Sequence, residues 1–353
     1  MKKRVCVAMS GGVDSSVAAL LLKKQGYDVI GISMRLYRSA YQEGHKGGCC
    51  TPKDMDDARR VAEQLDIPYF LFNYEEEFEQ RVINQFVKDY IQGRTPNPCV
   101  RCNQDVKFDL LFKEAQALGC DLLATGHYAQ IIQQADGSYD LCKGADIKKD
   151  QSYFLFGLSQ QELSCLLFPI GGMDKTQVRQ IADEHGLKVH NKPDSQEICF
   201  VAGGSYVDIV KKKTNMPTST GFIRDEQGQI LGQHEGYYQF TVGQRRGLQV
   251  SSEKPKYVLK VLPETNDVIV GEESSLYSSS AELIETRWTR LPKEQDKIEV
   301  KVRYQSTPAP ARIEITSNKT ATLHFEHPVK SIASGQAAVC YIDNYAIGGG
   351  FFK

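Results

Sequence analysis

Ser10-Gly11-Gly12-Val13-Asp14-Ser15-Ser16 decides how the first half of this chain is read. The apolar run Val5-Cys6-Val7-Ala8-Met9 precedes it, and Val17-Ala18-Ala19-Leu20-Leu21-Leu22 follows. A buried strand therefore enters a glycine-rich turn and a helix leaves it. Gly11 and Gly12 can take backbone angles closed to other residues, so the chain can wrap a phosphate closely. The helix start adds unpaired N–H groups and a partial positive charge at the same spot. Ser10, Ser15 and Ser16 offer hydroxyl donors, and Asp14 a carboxylate able to hold Mg²⁺ beside phosphates.

The loop lacks the Gly-Lys-Ser/Thr ending of kinase and GTPase P-loops and is not the dinucleotide fingerprint Gly-x-Gly-x-x-Gly. Ser-Gly-Gly-x-Asp-Ser resembles the pyrophosphate loop (PP-loop) of the ATP pyrophosphatases, which adenylate a carbonyl oxygen and release pyrophosphate.

Working outward, residues 1–204 alternate strand and helix. Strands are expected at Val5–Met9, Tyr27–Met34, Pro68–Asn73 and Asp121–Thr125, with helices at Ser16–Gln25, Asp54–Leu65, Phe78–Gln92 and Lys107–Leu118. This is the pattern of an α/β parallel sheet covered by helices, with ligands at the carboxyl ends of its strands. Met9, Met34 and Thr125 mark those ends. From about residue 205 the texture becomes β-rich. A hairpin turning near Glu226–Gly228 and a strand pair at Tyr257–Val261 and Asp267–Gly271 outline a small domain over 205–280. Short alternating segments over 281–353 suit an antiparallel β-barrel.

The 353 residues carry a net charge of −1, so any nucleic-acid surface must be local. Lys148-Lys149, Lys211-Lys212-Lys213, Arg245-Arg246, Arg287, Arg290, Arg303 and Arg312 are the candidates. No apolar run reaches membrane-spanning length and no signal peptide opens the chain, so a cytoplasmic address is expected, with the ten cysteines mostly reduced.

Thr95-Pro96-Asn97-Pro98-Cys99-Val100-Arg101-Cys102 joins two helices. Its prolines predict a rigid, extended loop carrying two thiols, with Arg101 placed to favour a thiolate. A further thiol, Cys199, follows Lys192-Pro193-Asp194-Ser195-Gln196-Glu197-Ile198. These blocks together resemble the tRNA-specific 2-thiouridylases across essentially the whole chain. So do Gly93-Arg94, Lys107-Phe108, Gly126-His127-Tyr128, Lys149-Asp150-Gln151-Ser152, Thr241-Val242-Gly243-Gln244-Arg245-Arg246-Gly247-Leu248 and Gly348-Gly349-Gly350.

The resemblance implies ATP-dependent replacement of the wobble uridine 2-oxygen by sulfur. Adenylation makes that oxygen a leaving group, and Cys199 carries a persulfide with Cys102 as partner nucleophile. It places ATP on Ala8, Met9, Ser10, Gly11, Gly12, Val13, Asp14, Ser15, Met34 and Gly126. It sets Asn97, Pro98 and Cys99 against the target base, and His127, Lys149, Asp150, Gln151, Arg303, Tyr304 and Gln336 on tRNA. The domains over 205–280 and 281–353 become tRNA-binding. ATP and Mg²⁺ are the expected small molecules. The anticodon stem-loop of tRNA and a protein donating persulfide sulfur are the expected partners, with no membrane. A target base must leave its stack to enter a pocket.

One departure stands out: many family members have an acidic residue where this chain has Cys99. Cys99, Cys102 and Cys199 would suit three ligands of a [4Fe–4S] cluster, an alternative route to the same thiolation. A zinc site adding Cys49 and Cys50 is a weaker alternative. A synthetase attacking with nitrogen would share the loop but needs no paired cysteines.

Overall fold

Along the first strand Val5, Val7 and Met9 alternate with Cys6, and all four are buried. Val5, Val7 and Met9 pack with Ala58, Val61 and Val178, whereas Cys6 packs with Ile30, Phe78 and Leu111. A strand buried on both faces belongs inside a helix-covered parallel sheet. The computed structural model, which describes residues 2–37, 51–193, 198–201, 204–214 and 219–353, has that sheet. The first seven strands are β1 (Arg4–Ala8), β2 (Asp28–Arg35), β3 (Tyr69–Asn73), β4 (Leu122–Thr125), β5 (Ala129–Gln133), β6 (Tyr139–Lys143) and β7 (Leu166–Leu167). Five run parallel in the order β3-β2-β1-β4-β7. The order reverses direction between β1 and β4, and the crevice at such a switch point is where ligands bind in open α/β sheets.

Helix α1 (Val13–Lys24) leaves the glycine turn. Helix α2 (Pro52–Gln64) starts with Pro52 in its first turn and a capping box between Thr51 and Asp54. The helix expected over 78–92 begins at Glu75 and carries a π turn at Glu79–Ile83 before continuing as Asn84–Ile91.

The extended loop expected around Cys99 and Cys102 is instead a short helix, Pro98–Cys102. Pro98 sits in its first turn, where no N–H is missed, and Asn97 Oδ1 accepts from Val100 N at 3.3 Å. The prolines thus start a helix rather than forbid one.

Strands β8 (Gly221–Arg224), β9 (Ile230–His234), β10 (Tyr257–Leu262) and β11 (Asp267–Gly271) form a sheet ordered β10-β11-β8-β9. Both expected pairings are present, β8 with β9 and β10 with β11; the parallel pairing of β11 with β8 joins them. The last six strands are β12 (Tyr277–Trp288), β13 (Ile298–Lys301), β14 (Ala309–Ser317), β15 (Thr320–Lys330), β16 (Ala337–Ile342) and β17 (Tyr345–Phe352). They close an antiparallel barrel through β12–β17 pairing. Closure needs the glycines: a Cβ on Gly349 would lie 2.1 Å from the Ala338 carbonyl oxygen, and one on Gly348 2.4 Å from that of Arg287.

The hairpin β5–β6 does not join the parallel sheet. It extends the barrel sheet, with Leu141 opposite Ala346 and Cys142 opposite Tyr345. Buried Tyr153 adds a tie, donating from Oη to the Ala337 carbonyl at 2.8 Å. Tyr153→Phe leaves that carbonyl without this donor and should cost about 1–2 kcal/mol. Urea unfolding checks it, and an unchanged midpoint would show that the tie contributes nothing.

Candidate active site

The turn after β1 is built by its own backbone. Gly11 has φ +71°, and a Cβ there would sit 2.0 Å from the Asp54 carbonyl oxygen in α2. Gly12 is the N-cap of α1 and makes no side-chain cap hydrogen bond; the N–H groups of such a helix start suit an anion. Of the three serines expected to offer hydroxyls outward, Ser10 is exposed but Ser15 and Ser16 are buried. Both turn inward to the Gly12 carbonyl, at 3.3 and 2.8 Å, because burial obliges each hydroxyl to find a partner within the turn. Ser15 also accepts from Ser10 N at 3.1 Å. They brace the loop.

The other predicted nucleotide positions gather around this turn. Ala8 ends β1, and Met9 N donates to the Ile32 carbonyl of β2 at 2.7 Å. Val13 is buried in the first turn of α1, and Met34 is buried near the end of β2. Gly126 follows β4, and a Cβ there would lie 2.6 Å from Ser15 N. The loops after β1 and β4 therefore touch.

Asp14 is held from two sides. Tyr128 Oη donates to Oδ1 at 2.7 Å, and Lys175 Nζ reaches both carboxylate oxygens at 2.8 Å. Gln151 secures Tyr128: its Oε1 accepts from Tyr128 N at 3.0 Å while its own N donates to the Tyr128 carbonyl at 2.8 Å. Asp150 is buried and accepts from Gly144 N, Ser152 N and Ser152 Oγ at 3.0–3.1 Å. Two side chains of the Lys149-Asp150-Gln151 block are thus used within the protein, and Lys149 is half-buried beside them. His127 lies between the rings of Phe108 and Phe168 and hydrogen-bonds Thr125 Oγ1 through Nδ1 at 2.7 Å. Burial, with the Lys107 charge second, pushes its imidazole down to about 3.

Lys192 is a second cation at the loop. Its Nζ donates to the Gly11 carbonyl at 2.9 Å and pairs with Asp54 at 2.6 Å and Asp57 at 2.7 Å. Burial works to lower its pKa, but the two carboxylates outweigh it and hold the ammonium above the ordinary lysine value. Arg179 donates to the carbonyls of His190 and Lys192 at 2.6 and 2.9 Å. Lys192 and, through its carbonyl, Arg179 are therefore tied to the phosphate turn.

Cys99 is exposed, Cys102 buried and Cys199 half-buried. Cys102 and Cys199 belong to one hydrophobic cluster. The helix Pro98–Cys102 packs on Glu79–Ile83, and Phe200, beside Cys199, packs its ring edge-on against Phe78 and Phe86 of the same helical stretch. Arg101, read as favouring a thiolate if it lies near a sulfur, is engaged by a carboxylate of the barrel. Its guanidinium pairs with Glu285 at 2.6 and 2.8 Å and lies over the Phe351 ring, because barrel closure brings a carboxylate to it.

The barrel also holds the cysteine segment. Gln336 Nε2 donates to the Thr95 and Pro96 carbonyls at 3.1 and 3.0 Å, and Thr95 N donates to Ser334 at 2.7 Å. Pro98 is buried, and Asn97 Nδ2 lies 3.5 Å from Tyr153 Oη. Tyr304 packs on Phe154, ring centroids 4.5 Å apart. Arg303 donates to the Val242 and Ser331 carbonyls at 3.3 and 3.0 Å and lines a cavity of about 590 Å³ with Tyr206, Gln244 and Arg246.

The donor set for an iron–sulfur cluster does not assemble. Among the described residues no three His, Cys, Asp or Glu side chains come together to hold a metal, and Cys99 faces solvent while Cys102 is buried. Cys49, Cys50 and Asp194–Glu197 lie outside the described residues. Among the described residues no helix is long and apolar enough to cross a membrane. Lys175 and the anchoring use of Lys192 escaped the sequence reading. Lys192 opened a quoted block but was given no role there, and no local pattern marks Lys175.

A phosphate turn at the switch point of a parallel sheet, followed by a β-rich domain and a closed barrel, defines a PP-loop ATP pyrophosphatase fold with two appended β domains. Three family models match in succession: a tRNA methyl transferase HUP domain over 3–203, a tRNA methyl transferase PRC-barrel domain over 210–272, and an aminomethyltransferase beta-barrel domain over 278–352. The chain is 48% identical to the tRNA-specific 2-thiouridylase MnmA of Geotalea uraniireducens, covering 100% of this chain and 95% of that one. It is 42% identical to the protein of that name from Clostridioides difficile, covering 100% and 99%. With that from Acidithiobacillus ferrooxidans it shares 45%, covering 99% and 98%. The chain belongs to the tRNA-specific 2-thiouridylase family.

His127 yields a pH prediction. Its folded pKa lies below the ordinary histidine value of 6.5, so between the two values the unfolded chain binds a proton that the folded one refuses. Its contribution is complete above 6.5 and is lost as pH falls, by about 2 kcal/mol at pH 5. His127→Asn should flatten the acid limb of the stability–pH curve. An unchanged limb in the variant would refute the neutral, desolvated imidazole.

Proposed function

We propose that this chain is an ATP-dependent sulfurtransferase that replaces the C2 oxygen of the wobble uridine of tRNA with sulfur. The observation that carries it is the Lys192 bond to the Gly11 carbonyl. It ties Lys192, which opens the block that leads in sequence to Cys199, to the turn suited to a triphosphate, and this supports a reading in which the two act in one site. The full-length relatives named tRNA-specific 2-thiouridylase agree with this reading. The methyl transferase wording of two family models describes the same domains, but a chain that carries Cys102 and Cys199 together with a phosphate turn supports sulfur transfer over methyl transfer.

An amide-like carbonyl oxygen is a poor leaving group. In this reading ATP, cradled by Ala8–Ser15 with Met34 and Gly126 nearby, transfers AMP to that oxygen and releases pyrophosphate. Asp14 offers one carboxylate, which fits an Mg²⁺ ion that keeps its waters and shares phosphate oxygens. Mg²⁺ there would neutralise charge on the phosphates. The terminal sulfur of a Cys199 persulfide then attacks C2, and AMP departs with the original oxygen. The Cys102 thiolate attacks Cys199 Sγ, the S–S bond breaks toward the sulfur left on C2, and a Cys102–Cys199 disulfide remains for an external thiol to reduce. A donor protein reloads Cys199. The cytoplasm, rich in tRNA, ATP and reducing thiols, is the fitting compartment.

Asn97, Pro98 and Cys99 are assigned to the target base, with the exposed Cys99 as the accessible member. The domains over 205–280 and 281–353 are assigned to tRNA, together with His127, Lys149, Asp150, Gln151, Arg303, Tyr304 and Gln336. Their internal bonds give them different parts. Gln336 positions the cysteine segment, and Asp150 and Gln151 shape the loop that presents Lys149.

The test is thiolation of unmodified tRNA with ATP, Mg²⁺ and a persulfide source, read by nucleoside mass spectrometry. Cys199→Ser should cut 2-thiouridine formation roughly a hundredfold or more while ATP binding persists. Normal thiolation by that variant would remove Cys199 from the mechanism.

A further inference from the structure

We propose that Lys175 is a phosphate-binding residue of the nucleotide site, parked on Asp14 until a triphosphate arrives. The proposal rests on the ATP reading above and adds a residue to it. Lys175 opens the helix Lys175–Glu184, directly after the N-cap Asp174. A cation there faces the positive end of the helix dipole, so helix stability does not account for it. What the position achieves is reach. The ammonium crosses to the first turn of α1 and sits 2.8 Å from both oxygens of Asp14, with its side chain only 12% exposed.

A buried ammonium needs an anion beside it. Asp14 supplies one now, and Asp14 belongs to the phosphate turn itself. Phosphates bound at the N-terminus of α1 would therefore lie next to the same ammonium. Once Asp14 turns to Mg²⁺, a phosphate oxygen replaces it as the partner of Lys175, and charge stays balanced throughout. A lysine suits this exchange, being a compact point charge on a flexible stem. Tyr128 supports both states. Its Oη donates to Asp14, and its ring lies 5.7 Å from the ammonium. Lys192 has a different task, since Asp54 and Asp57 pin it against the Gly11 carbonyl.

Calorimetric titration of the full chain with ATP, in EDTA and then in Mg²⁺, separates this from a purely structural ion pair. In EDTA, Asp14→Asn should bind ATP at least as tightly as wild type, because Lys175 is released to the phosphates. Lys175→Met should bind about tenfold or more weakly, and the double variant Asp14→Asn/Lys175→Met equally weakly. Lys175→Arg should recover part of the loss. If Lys175 is only a counter-ion for Asp14, the double variant removes both charges of the pair and binds ATP as wild type does, which overturns the proposal. Comparing Asp14→Asn with the double variant decides the matter even where Lys175→Met alone fails to fold. A wild-type chain that binds no ATP in either buffer would sink both this proposal and the nucleotide reading beneath it. Normal binding by wild type and the double variant would sink this one alone.

Discussion

The site depends on one close approach. At Gly11 the backbone turns with a positive φ and presses against the Asp54 carbonyl, leaving no room for a side chain. That contact pins the β1–α1 turn to the first turn of α2. Asp54 is also the capping-box partner of Thr51 and an ion-pair partner of Lys192. A single residue therefore ends one helix start, backs the phosphate turn and receives the chain that leads to Cys199. The parallel sheet makes this possible, because its switch point brings the loops after β1 and β4 to the same edge.

A second constraint comes from the far end of the chain. The stretch Thr95–Pro98 contains two prolines, which have no N–H to offer, so its carbonyls must find donors elsewhere. Gln336 supplies them for Thr95 and Pro96, and the barrel strand containing Glu285 takes the charge of Arg101. The hairpin β5–β6 seals the junction by adding to the barrel sheet. The barrel is thus part of what shapes the cysteine segment.

Much of this was legible in the residues. The glycine turn was readable because phosphate-wrapping geometry is a short-range backbone property. The strands Val5–Met9 and Asp121–Thr125 were readable because burial on both faces leaves a continuous apolar run. Other features were misread or missed for a physical reason. Pro96 and Pro98 looked like breakers of regular structure, yet Pro98 occupies the one helical turn that tolerates it. Ser15 and Ser16 looked like outward donors, yet burial turned their hydroxyls onto the Gly12 carbonyl. The pairing of Arg101 with Glu285, 184 residues away, lay beyond any local reading. The three thiols that suggested a cluster differ in exposure and do not converge as ligands.

By itself the sequence determined the phosphate turn, the α/β character of the first two hundred or so residues, the β-rich remainder and the family. Only the tertiary structure decided which charges meet. It set Lys175 on Asp14, Lys192 on Gly11 and its two carboxylates, and Gln336 on the cysteine segment. The division follows from range. Backbone conformation answers to neighbours a few residues away, whereas an ion pair across 161 residues exists only after strand order and barrel closure have brought its two ends together.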